Sequence, residues 1–83
     1  MTKIAQLQKN IKLSGKLANY LASNPSVIQN SSKSTSFVPF SATDKLLNVA
    51  NKKIVKGLQS EGKKVIEANE TKDKNNPWVF NFI

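Results

Sequence analysis

Apolar residues between Thr2 and Ser23 recur at Ile4, Leu7, Ile11, Leu17, Ala18 and Leu21, with Leu13 and Tyr20 widening the stripe. That spacing predicts an amphipathic helix over 2–23. At about 100° per residue, Gln8, Lys9, Lys12, Lys16 and Asn19 gather on the opposite side as a wet face. Asn10 and Ser14 fall inside the apolar sector, so each needs a hydrogen-bond partner if it is buried. Asn24 and Pro25 end the helix, because proline disfavours helical geometry in the residue before it. A polar, serine-rich loop follows over 29–36, and "FVPF" at 37–40 reads as a short strand. Pro39 cannot donate a ladder hydrogen bond, which places that strand at an edge or ends it there.

Helical spacing resumes through Leu46, Leu47, Ala50, Ile54 and Leu58, predicting a helix over 42–61. Ser41 and Asp44 have the spacing of a capping box at its start, and Glu61 and Gly62 close it. A strand over 64–70, a loop of turn formers and a final strand over 78–83 complete the order α-β-α-β-β. A strand, helix and strand in succession make a right-handed crossover, and the last two strands pair antiparallel. The expected fold is a small single α/β domain, bordering on α+β: a three-stranded mixed sheet with both helices on one face. In the closing strand, Trp78, Phe80 and Phe82 alternate with Val79, Asn81 and Ile83. Its large apolar side chains are expected to complete the core beneath the helices or to meet a partner. Trp78, Val79, Phe80, Phe82 and Ile83 are therefore the first candidate interaction residues.

Composition narrows the chemistry. Eighty-three residues suffice for one core, and the chain contains no cysteine and no histidine. Disulfides, thiolate nucleophiles and cysteine-ligated metals are thereby excluded, and the commonest general base is missing. No run approaches the length of a membrane span, and lysines interrupt the opening segment where a secretory leader would be continuously apolar. A cytoplasmic location and no membrane association follow as expectations. The net charge of +8 comes from 13 lysines and no arginine, beside ten asparagines. Lysine binds phosphate without the forked base readout of arginine, and Lys and Asn codons share an A/T bias that can produce such a surface without selection for a polyanion. If the two helix faces were continuous, Lys9, Lys12, Lys16, Lys45, Lys52 and Lys56 would form a sequence-tolerant polyanion site with a salt slope of very roughly −5.

The segments "KNIKLSGKLANYLASNP" and "DKLLNVANKKIVKGLQSEGKKVI" resemble a family of short prokaryotic proteins classed as a domain of unknown function. The first matches its opening helix through Lys9, Asn10, Leu13, Ser14, Tyr20, Leu21 and Pro25. The second matches its second helix and strand through Asp44, Leu47, Asn51, Ile54, Glu61, Gly62, Val65 and Ile66. The resemblance implies the fold and brings no activity. This chain departs from the family in its basicity and in its aromatic ending.

Catalysis finds little support. Of the five acids, Asp44 and Glu61 sit at helix ends, where capping accounts for them. Glu67 and Glu70 alternate across a strand, which spoils them as chelators, and the three glycines are isolated, so no loop cradles phosphate. Ser14 within a helix stripe reads as a packing residue. Asn10 and Asn51 are expected to be amides that fix helix packing, with ligand recognition as the alternative. No cofactor, metal site or small-molecule ligand is expected. The reading is a non-enzymatic protein-interaction module, a homo-oligomer or an accessory subunit; the alternative is a nucleic-acid binder using its lysine faces.

Overall fold

The computed structural model describes residues 2–29 and 35–83. Along them run α1 (Lys3–Ser23), α2 (Pro25–Gln29), β1 (Ser36–Phe40), α3 (Lys45–Ser60), β2 (Val65–Glu70) and β3 (Trp78–Phe82). Residues 30–34 of the expected serine-rich loop lie outside the described residues. The order of strands and long helices is the one expected, and the short α2 is an addition that Pro25 opens from the first-turn position proline tolerates.

Local chemistry fixes the helix ends. Thr2 caps α1 by accepting from the Ala5 N–H at 3.1 Å, and the Asn24 N–H closes it on the Leu21 carbonyl. α3 starts at Lys45, later than the capping-box spacing suggests, because the Asp44 carboxylate is the cap and accepts from the Leu47 N–H at 3.1 Å. The Ser41 hydroxyl instead accepts from the Thr43 and Asp44 N–H groups, bracing the loop before the helix. At the far end Gly62 adopts φ 78°. The Gly62 and Lys63 N–H groups return to the Gln59 and Leu58 carbonyls, the paired bonds of a Schellman exit.

The sheet order is β1-β2-β3, with β2 parallel to β1 and antiparallel to β3. Register and alternation put Phe37, Ile66, Ala68, Trp78 and Phe80 on one face, and Val38, Phe40, Val65, Glu67 and Val79 on the other. On the first face Leu13 and Leu17 of α1 bury against Ala68 and Trp78, with Tyr20, Leu21, Phe37 and Phe80 around them and Leu47 joining from α3. On the second, Val55 and Leu58 of α3 cover Val38, Phe40 and Val65. The helices thus divide between the two faces where one shared face was expected. β1 carries Phe37 on one side and Val38 and Phe40 on the other, and β2 is buried on both sides from Val65 to Ala68, so each face requires a cover.

The edge of β1 is closed by a side chain. The Ser36 N–H donates to the Lys64 carbonyl, which sets the ladder so that the backbone of Pro39 points away from β2. Pro39 therefore loses no ladder bond, and its outward carbonyl accepts from Asn51 Nδ2 at 2.8 Å. Asn51 is fully buried and exchanges two further bonds with Asn10, at 2.8 and 3.0 Å. Both helices are thereby pinned to the strand edge. Ser14, read as part of the buried stripe, is exposed.

One expectation for α1 fails in an informative way. Ile4, Leu7 and Ile11 stand 71%, 61% and 65% exposed, whereas the burial centres on Leu13 and Leu17. The three lie about 120° to 180° round the helix from Leu13, too far to reach the same core.

Candidate functional site

Three surfaces hold the residues that the sequence singled out. The first is a cleft of about 270 Å³ between α1 and the start of α3, lined by Lys9, Lys12, Lys16, Ser41, Asp44 and Glu70 among others. It lies where β1 ends and α3 begins. Lys9 Nζ donates to Asp44 at 2.8 Å, and Lys16 Nζ to Glu70 at 3.4 Å. Glu70 also accepts from the Ala42 N–H at 3.0 Å, and Asn48 bonds both the N–H and the carbonyl of Ser41. The Lys9 ammonium beside Asp44, with the Leu47 N–H, holds that carboxyl below the usual carboxylate range. The polar groups of the cleft are largely occupied with one another. It offers a net positive lining and an already capped helix start.

The second surface is a shallower groove on the other sheet face, of about 380 Å³, bordered by Phe40, Asn48, Val49, Lys52, Glu67 and Asn69. Glu67 is buried and accepts from Lys52 Nζ at 2.6 Å and Asn81 Nδ2 at 3.2 Å. Both carboxylate oxygens thus have partners. Lys9, Lys12 and Lys16 border the cleft and Lys52 borders this groove, while Lys45 and Lys56 line neither. Among the described residues, Lys12, Lys45 and Lys56 form no ion pair, and no three acidic groups meet in a metal-holding cluster.

The third surface is apolar. Trp78 is buried and Phe80 packs on the same core, meeting Tyr20 at 6.0 Å between ring centroids and Phe37 edge-on at 6.2 Å. Val79, Phe82 and Ile83 stay about half exposed or more, so the closing strand is core at its start and surface at its end. The Thr71 N–H to Pro77 and Ile83 N–H to Val65 bonds set the β2–β3 ladder so that the backbone of Trp78, Phe80 and Phe82 faces outward along an open edge. Ile4, Leu7 and Ile11 add an exposed helix stripe that sequence reasoning assigned to the core. A helical wheel separates the two lobes, 4-7-11 from 13-17, and was the available signal.

No family model, no curated protein and no solved structure matches this chain. No helix among the described residues is long and apolar enough to cross a membrane.

Proposed function

We propose that the protein is a non-enzymatic association module whose outer apolar surface is covered by another protein chain. The observation that carries this is the exposure of Ile4, Leu7 and Ile11 on one helix face. Covering the exposed two-thirds of three such side chains contributes about 3 to 6 kcal/mol, a large share of the stability of a small domain. The lysine surfaces lend less support to a polyanion role. Lys9, Lys16 and Lys52 are turned to Asp44, Glu70 and Glu67, and the six lysines of that reading do not line one surface. A cytoplasmic site of action belongs to the same proposal, since the chain has no cysteine with which to exploit an oxidising compartment. The family resemblance adds no activity to it.

Light scattering with and without a short mixed-sequence oligonucleotide tests the reading. The expected result is a mass above the 9.2 kDa of one chain that persists at about 0.5 M salt and ignores the oligonucleotide. A chain that stays single by itself and associates with the oligonucleotide at low salt overturns it.

A further inference from the structure

We propose that the partner is a second copy of this chain, docked antiparallel through the outer face of α1; this inference rests on the association reading. Ile4, Leu7, Ile11, Gly15, Ala18 and Ala22 share a sector about 100° wide, and every one is exposed. In a chain with 13 lysines this sector carries no charge, while Lys9, Lys12 and Lys16 project toward the cleft instead. Two copies of net charge +8 can therefore meet here without opposing lysines.

The order of large and small residues selects the occupant. A two-fold axis crossing α1 at the level of residue 13 sets Ile4 against Ala22 and Ile11 against Gly15, with Leu7 beside Ala18. The large half of each helix thus meets the small half of its mate, the self-complementarity an isologous interface demands. Gly15 supplies an independent observation. It sits in the middle of α1, where glycine weakens a helix, yet a Cβ built on it would meet nothing within 4 Å. The single chain has no packing need for glycine there. A partner helix packing against that point does, because helix axes approach to about 8–10 Å according to the side chains between them.

The matched stripe runs about 27 Å from Ile4 to Ala22, giving a total buried area on the order of 1,000 Å². That is the lower end of specific interfaces, so a Kd in the micromolar range is expected. A lipid surface fits less well. The small residues of the second half offer little to insert, and the neighbouring lysines turn into a cleft that holds Asp44 and Glu70.

The test is sedimentation velocity over a dilution series from about 1 μM to about 0.5 mM. It compares the wild type with Gly15→Leu and Ile11→Lys, and with Gly57→Ala and Phe82→Lys as controls outside the stripe; circular dichroism checks the fold of each. Gly15→Leu has room in the single chain and blocks only a partner. The wild type and both controls are expected to dimerise, while the two α1 variants remain folded and their Kd rises by at least about tenfold. α1 variants that dimerise like the wild type, or a dimer lost only in Phe82→Lys, would overturn this interface and leave the association reading standing. A wild type that stays monomeric at the highest concentration defeats the second-copy interface. Binding as a monomer to phosphatidylserine vesicles would reassign the stripe to a membrane.

Discussion

The amide pair between Asn10 and Asn51 allows a worked prediction. Asn51 is fully buried and makes three hydrogen bonds, two exchanged with Asn10 and one donated to the Pro39 carbonyl. In Asn10→Ala, Asn51 keeps Pro39 and loses two bonds, each worth a net 0.5–1.5 kcal/mol. Asn10 is only half-buried, so water enters the vacated space and the loss should stay near 1–2 kcal/mol. Asn51→Ala removes all three bonds, leaves the edge carbonyl without its partner and opens a cavity, for about 3–4 kcal/mol. In the double variant the Asn10 term is already gone, so the two losses should fall short of adding by about 1 kcal/mol or more. Urea titration at neutral pH reads all four proteins, with an unchanged m-value confirming that only stability moved. Losses that add to within about 0.5 kcal/mol would mean the pair does not act as a unit and would refute its role in pinning the helices.

Other predictions follow from individual contacts. Trp78→Ala removes the aromatic anchor of the α1-side core and should destabilise the fold by about 3–5 kcal/mol in the same assay. Asp44 has its pKa lowered, so its contribution is fully present above the ordinary aspartate value of about 3.9 and is lost as pH falls through the folded value. The fall in urea midpoint below about pH 4 should therefore be shallower in Asp44→Asn, which keeps a capping side chain; an identical fall in both proteins would remove Asp44 as its source. Gly57→Ala adds a better helix former in open space and should raise stability by up to about 1 kcal/mol. Replacing Lys9, Lys12 and Lys16 together by glutamine should not lower the solution mass, since none of them lies on the outer face of α1 and their loss reduces the repulsion between two basic chains.

Periodicity made much of this legible. The 3.6-residue repeats marked α1 and α3, Gly62 marked the helix exit, and Pro39 pointed to an edge position or a strand end because a central ladder does not tolerate its missing donor. The alternation of β3 identified Trp78, Phe80 and Phe82 as one face, but not that burial would fade along it, from Trp78 in the core to Phe82 at 60% exposure. Side assignments were harder to read. β1 is apolar on both faces, and β2 opens with Val65 on one face and Ile66 on the other, so nothing in their pattern says which face takes which helix, and a shared side was the simpler reading. In α1 the apolar residues are numerous enough to merge two lobes into one broad stripe. A helical wheel separates Ile4, Leu7 and Ile11 from Leu13 and Leu17, and the three-dimensional placement shows which of the two lobes is buried. The ion pairs of the lysines were out of reach because Lys9 and Asp44 are 35 residues apart in the chain, and Lys16 and Glu70 are 54 apart.

The salt dependence of the wild-type mass tests the central claim most directly. Screening weakens the repulsion between two strongly basic chains and leaves apolar burial intact, so the dimer fraction should rise between about 0.05 M and 0.5 M salt. A mass that falls with salt, or that stays at one chain at both concentrations, would contradict association through an uncharged apolar face.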